Sequence, residues 1–165
     1  IEAGLTYWMP SLLSDQSGDS TMAAAYMARF FFWFVIVRLT AAALAVWVST
    51  LGFAVFGLVG IFCSLVLVLA GVVPLSDTSF TGAFMGLIFP NAYAWMLNTG
   101  GGGTTTGAKI LLSAITGATL GPWILGWILP YSGESAVLWL LSLLSLITAG
   151  LMLITHLNVG YRSSD

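Results

Sequence analysis

An all-helical bundle embedded in a lipid bilayer is the fold class that this sequence predicts. Hydrophobic residues make up 59% of the chain and charged residues only 6%, whereas a soluble domain carries about a quarter charged residues. Four basic and six acidic side chains are too few to solvate a globule of this size, so lipid must face most of the surface. The seven Trp, ten Phe and five Tyr suit membrane interfaces, where aromatic side chains concentrate.

Five apolar stretches are long enough to cross a hydrocarbon core, which takes about 20 residues of helix. They cover residues 22–46, 51–73, 80–97, 108–129 and 136–155. Residues 1–13 are also apolar but too short, and the polar segment SDQSGDS follows them. This first segment lacks the initiator Met and basic start of a signal peptide, and we interpret it as the outer end of a truncated helix. We therefore expect a single transmembrane bundle, residues 1–165, that is a fragment of a longer protein.

Charges in the polar connections predict the orientation of the bundle. Counting spans puts the acidic loop residues on one side and three basic residues on the other: Asp15, Asp19, Asp77 and Glu134 against Arg38, Lys109 and Arg162. Basic residues mark the cytoplasmic side of a membrane protein, so the C-terminus is expected in the cytoplasm. We expect a multi-pass protein of the plasma membrane.

Several functions are disfavoured by what the sequence lacks. No basic cluster is present, so no nucleic-acid partner is expected. Cys63 is the single cysteine and His156 the single histidine, which leaves no basis for a metal site. The segment GGGGTTTGAKI lacks the Lys-Ser/Thr ending of a phosphate-binding loop, and no G-x-S-x-G motif of a serine hydrolase occurs. We therefore expect a protein that is not an enzyme and holds no cofactor.

Glycine spacing predicts close helix–helix contacts. Small residues four apart lie on one helix face and let two backbones approach within the membrane. Such spacing, or the closely similar i, i+3 spacing, occurs in three places, where packing is favoured over a binding role: Gly82 with Gly86, Gly117 with Gly121, and Gly57 with Gly60.

Glu2 and Arg29 are the ionisable residues expected inside the membrane. If the first span ends near Ser14, Glu2 lies about 18 Å below that end, where an ionisable group almost always faces the protein interior or a water-filled cavity. The other interpretation makes Glu2 a terminal residue in water. Arg29 lies about 13 Å inside the next span, close to the depth of Glu2. Arg29 is thus expected either to pair with Glu2 or contact solute, or else to extend outward to the membrane surface.

A second group of polar residues lies in the stretch GLIFPNAYAWMLN. Pro90 removes a backbone donor and can kink the helix, and Asn91 and Tyr93 follow it directly. Broken helices with polar groups at mid-depth form the solute sites of many transporters. Asn91 could equally bond a neighbouring helix.

Taken in order, several segments resemble the C-terminal half of major facilitator superfamily transporters. These are IEAGLTYWMPSLL with Glu2 and Trp8, FFFWFVIVRL ending near Arg38, GAFMGLIFPNAYAWM, and GATLGPWILGWIL. The likeness is greatest to the fucose permease and sodium-dependent glucose transporter-like branch. It implies a six-helix half with its first helix truncated, a missing N-terminal six-helix half, and a solute site between the halves. Arg38 would be the basic residue at the cytoplasmic end of the second helix, although Val37 stands where the family usually has glycine.

The resemblance implies a secondary transporter that moves a sugar or another small polar solute by alternating access, with H⁺ or Na⁺ as coupling ion. Glu2, Arg29, Asn91 and Tyr93 are the candidate solute- or ion-binding residues. An integral membrane enzyme would need a buried catalytic pair, for which only Glu2 and Arg29 are candidates. A structural membrane subunit would lack a central polar cavity.

Overall fold

The computed structural model describes residues 1–17, 20–101 and 103–162, with side chains for all of these except residues 16, 17, 20, 134 and 159–162. Within these ranges the chain is all-helical. The elements are α1 (Glu2–Ser17), α2 (Ser20–Leu44), α3 (Thr50–Leu69), a short 3-10 helix (Leu75–Phe80), α4 (Thr81–Thr99) and α5 (Thr104–Arg162). The predicted all-helical class is confirmed for the described chain. Asp19 and the side chains of Glu134 and Arg162, which entered the predicted orientation, lie outside the described residues.

Four helical segments in the described chain are long and apolar enough to cross a membrane. They are Thr21–Leu44, Thr50–Leu69, Thr104–Gly133 and Ser135–Asn158. They match four of the predicted spans and confirm the membrane character of the chain. Helix α4 coincides with the predicted span 80–97 but is not among the four, since it carries Pro90, Asn91 and Asn98.

The long element α5 breaks at Gly133, whose φ of 73° and ψ of 177° are not helical. We call Thr104–Gly133 the first arm of α5 and Ser135–Asn158 its second arm. A Cβ added at Gly4 would lie 2.8 Å from Leu125 of the first arm and 3.1 Å from Leu141 of the second. Sixteen residues of straight helix would separate these two leucines by about 24 Å. The chain therefore turns back at Gly133, and the two arms enclose the same part of α1.

Ser49 is the last residue of the connection between α2 and α3. Its hydroxyl oxygen accepts a 3.1 Å hydrogen bond from the Gly52 N–H, and its extended backbone makes it the N-cap of α3. An N-cap serine satisfies one of the amide groups that have no partner in the first turn. The break predicted near Ser49-Thr50 is thereby confirmed.

Helix α4 packs against α2 through its glycines. A Cβ at Gly82 would collide with the main-chain carbonyl of Phe30, and one at Gly86 would lie 2.6 Å from the Phe34 carbonyl oxygen. The contacts repeat four residues apart on both helices, so the two backbones touch along a full turn. The predicted role of Gly82 and Gly86 is confirmed.

The other glycine predictions have different outcomes. A Cβ at Gly57 would lie 2.7 Å from the Phe84 carbonyl oxygen, so α3 also approaches α4 closely. The predicted helix contact at Gly117 and Gly121 is wrong for the described chain, because a Cβ at either position meets nothing within 4 Å. These two glycines border cavities beside α1 instead of a neighbouring helix backbone.

The main core lies around α1. Leu5, Met9 and Leu12 are spaced i, i+4 and i+7, so they form one face of α1, and all three are buried. They pack in one cluster with Tyr26 and Phe30 of α2 and with residues of α3, α4 and both arms of α5. Burial of this face leaves the remaining faces of α1, which include Glu2 and Thr6, outside the core.

Candidate solute-binding cavity

A cavity of about 670 Å³ lies between α1, α2, α4 and the first arm of α5. Its polar lining consists of Glu2, Thr6, Arg38 and Ser113. Its apolar lining consists of Phe34, Phe89, Leu111, Ile115 and smaller residues of α1 and the first arm. Small-molecule sites commonly have volumes of about 300–1,000 Å³ and few polar groups on an apolar wall. The cavity has the size and lining of such a site.

Glu2 and Thr6 form the α1 wall of the cavity. They are four residues apart and therefore lie on one side of the helix. The Thr6 hydroxyl donates a 3.0 Å hydrogen bond to the Glu2 carbonyl oxygen, which leaves the lone pairs of the hydroxyl oxygen able to accept another bond. The Glu2 carboxylate and the Thr6 hydroxyl thus offer two acceptors to the cavity.

Arg38, and not Arg29, shares this cavity with Glu2. Helix α1 continues to Ser17 and α2 already begins at Ser20, so only two residues separate the helices. Counted along the helices from this junction, Glu2 is about 25 Å away, Arg38 about 29 Å and Arg29 about 16 Å. The predicted depth of Glu2 was too small because the first helix was expected to end near Ser14. The longer helix moves Glu2 away from Arg29 and towards Arg38.

Arg29 is exposed and does not line the cavity. Its Nε lies 3.4 Å from the Ala25 carbonyl oxygen one turn earlier in α2, a long hydrogen bond within its own helix. Both Arg29 and Glu2 have described side chains, and no ion pair of 4.0 Å or less joins them. The structure therefore does not bring together the two residues that the sequence paired.

Asn91 is buried and lies away from the cavity. Its Nδ2 donates a 2.6 Å hydrogen bond to the Leu87 carbonyl oxygen of the same helix. Two residues along an α-helix correspond to a rotation of about 200°, so Asn91 lies nearly opposite Phe89, which lines the cavity. The hydrogen bond described for Asn91 therefore lies within its own helix, and the side chain does not line the cavity.

Tyr93 lines a second cavity, of about 440 Å³, together with Lys109. The two cavities share Phe89 and Ser113, so they are adjacent. The rings of Phe89 and Tyr93 stack with centroids 6.1 Å apart. A Cβ at Gly107 would lie 3.0 Å from the Tyr93 hydroxyl oxygen, so the missing side chain gives this hydroxyl its room. Tyr93 is thus placed beside the first cavity, on the same face of α4 as Phe89.

Trp8 ties α1 to the first arm of α5. Its indole Nε1 donates a 3.0 Å hydrogen bond to the Pro122 carbonyl oxygen. A Cβ at Gly126 would lie 2.8 Å from the Trp8 ring, so the ring packs directly against the helix backbone at Gly126, where no side chain intervenes. This contact fixes α1, and with it Glu2, against the arm that forms the opposite wall of the cavity.

Sequence reasoning did not identify Arg38, Thr6 and Ser113 as cavity residues. Arg38 was expected only as a basic residue at a helix end. Two signals were present: the i, i+4 spacing of Glu2 with Thr6 and the same spacing of Phe34 with Arg38. The Arg38 guanidinium carbon lies 5.4 Å from the centroid of the Phe34 ring, a cation–π distance.

Compared with family models, curated proteins and solved structures, the chain matches none of them.

Proposed function

We propose that this chain forms the solute-binding half of a secondary transporter of the major facilitator type, which moves a sugar or another small polar solute by alternating access. The observation that carries the proposal is the cavity of about 670 Å³ with Glu2 and Arg38 on its wall. Ionisable groups carried by membrane-spanning bundles mostly face a cavity or the protein interior and mark solute or ion pathways, because their burial in lipid is costly. Glu2 is the group that would bind either the solute or a coupling H⁺ or Na⁺.

The exposure of the charged residues on the cavity wall supports the presence of a second six-helix half opposite this bundle. Glu2 and Arg38 are both exposed in the described bundle, and α2 and the first arm of α5 are covered little by the other helices. Charged side chains beside apolar spans need water or protein opposite them, not hydrocarbon. A second six-helix half facing this side would supply both. In this arrangement Lys109 and the C-terminus lie on the cytoplasmic side of the plasma membrane.

Uptake by the full-length carrier in proteoliposomes tests the proposal. The solutes offered are radiolabelled D-glucose, L-fucose and L-leucine, with and without an inward Na⁺ or H⁺ gradient. We expect uptake of at least one solute above that of empty liposomes and a loss of 10-fold or more in Glu2→Gln. The matched control is Asp77→Asn, which removes an exposed carboxylate in the 3-10 helix. Folded carrier that takes up none of the three would contradict transport of these solute classes and favour a structural membrane subunit.

A further inference from the structure

Two side chains of opposite charge, Glu2 and Arg38, line the same cavity without forming an ion pair. Glu2 comes from α1 and Arg38 from α2, and both line the cavity. Both side chains are described, yet no ion pair of 4.0 Å or less joins them. Both side chains are exposed in the described bundle, so each charge is available to a ligand that enters the cavity.

Arg38 is held on its own wall by its neighbour one turn earlier. Its guanidinium carbon is 5.4 Å from the centroid of the Phe34 ring, and both residues line the cavity. A guanidinium on a ring face keeps its N–H donors in the plane of the group and available to a carboxylate, which it can bind with two parallel hydrogen bonds. Arg38 thus offers a carboxylate site.

The opposite wall offers an ammonium site. The Glu2 carboxylate and the Thr6 hydroxyl lie on one side of α1, four residues apart, and the hydroxyl proton is already donated to the Glu2 carbonyl oxygen. Both groups therefore act as acceptors, which matches the three donors of an ammonium group. A neutral sugar would offer neither group a counter-charge, and unpaired charges become costly once a partner half closes over the cavity and excludes water.

We propose that the cavity binds a zwitterionic solute of the amino-acid type, with its ammonium group at Glu2 and Thr6 and its carboxylate at Arg38. This rests on the proposed transport function and names the substrate class. The apolar side chains of Phe89, Leu111 and Ile115, which line the same cavity, would contact the apolar part of the solute. The solute would supply one counter-charge to the Glu2 carboxylate and one to the Arg38 guanidinium.

A matched set of three solutes tests the charge requirement on the wild-type, full-length carrier. L-Leucine carries both charges, isoamylamine only the ammonium, and 4-methylpentanoate only the carboxylate, on the same apolar group. We expect L-leucine to bind at least 10-fold more tightly than either singly charged compound, and D-glucose not to compete. Equal binding of all three, or competition by D-glucose alone, would overturn the zwitterion assignment while leaving transport itself standing. Absence of uptake for every solute would instead contradict the transport proposal.

Two variants assign each end of the solute. Glu2→Gln should weaken L-leucine 10-fold or more and leave 4-methylpentanoate unchanged, whereas Arg38→Gln should weaken L-leucine and leave isoamylamine unchanged. Arg29→Gln is the matched control, since Arg29 lies in the same helix as Arg38 but outside the cavity. An Arg29→Gln carrier as impaired as Arg38→Gln, or variants that weaken all three solutes alike, would overturn the assignment. Thermal unfolding in detergent verifies that each variant is folded.

Discussion

The indole nitrogen of Trp8 reaches the carbonyl oxygen of Pro122, 114 residues later in the chain, with a hydrogen bond of 3.0 Å. The contact joins the helix that carries Glu2 to the arm that carries Ser113. This hydrogen bond adds to the apolar packing of α1 against α5, and it comes from a side chain that does not itself line the cavity.

Trp8→Phe should lower stability by more than about 1 kcal/mol, the usual net value of one hydrogen bond, because phenylalanine also lacks the outer indole ring atoms that lie nearest to Gly126. The measurement is the midpoint of thermal unfolding in detergent. Trp123→Phe, at a residue that is 60% exposed, should leave the midpoint unchanged. Equal midpoints for wild type and Trp8→Phe would mean that the bond contributes nothing.

Gly82→Ala should destabilise the bundle by about 1–3 kcal/mol, the cost of overpacking, because its Cβ would collide with the Phe30 main chain. Gly117→Ala should be neutral or slightly stabilising, since space is open there and alanine favours a helix by about 1 kcal/mol over glycine. Both are measured as thermal midpoints in detergent. The reverse order of the two variants would contradict the packing described for α2 and α4.

Gly133→Ala should cost about 1–3 kcal/mol, because a φ of 73° with a ψ of 177° is a conformation that glycine alone adopts readily. Gly150→Ala is the control within the second arm, where a Cβ meets nothing within 4 Å. A stable Gly133→Ala variant in detergent would show that the reversal of α5 does not need this backbone conformation.

Tyr26→Phe should preserve or raise stability. The Tyr26 hydroxyl lies beside those of Thr78 and Thr81, but it is buried without a hydrogen bond of acceptable geometry. The two threonines donate to the Leu75 and Thr78 carbonyl oxygens at 2.6 Å. Removing an unsatisfied buried polar group is favourable. A drop in the thermal midpoint larger than that of Tyr7→Phe, an exposed control, would reveal a bond that holds the 3-10 helix to α2.

The orientation inferred from Arg38 and Lys109 is tested with single cysteines in a variant without Cys63. Thr105→Cys and Asp77→Cys both replace exposed residues. An impermeant thiol reagent added to intact cells should label position 77 and spare position 105, because basic segments stay in the cytoplasm. Labelling of position 105 alone would invert the assignment.

Helix positions could be predicted from the sequence because apolar length and polar breaks decide them almost independently of tertiary structure. The Ser49 break is an example, since an N-cap serine acts within three residues. The charge opposite Glu2 could not be predicted in the same way. It depends on where α1 ends, and an error of three residues at Ser17 shifts depth by about 4–5 Å. Likewise, Gly82 and Gly117 have the same sequence spacing but different neighbours, because α4 packs closely against α2 at Gly82 whereas no helix lies against Gly117 in the described chain.

The reversal of α5 at Gly133 affects how the two arms enter the membrane during synthesis. The two arms of α5 are joined by a few residues around Gly133, so very little polar backbone lies between two long apolar segments. The polar connection at the far surface is only a few residues long, and it is shared by the two arms. We expect the two arms to insert into the membrane together as one helical hairpin. The paired arms would then pack against α1, which is synthesised before them.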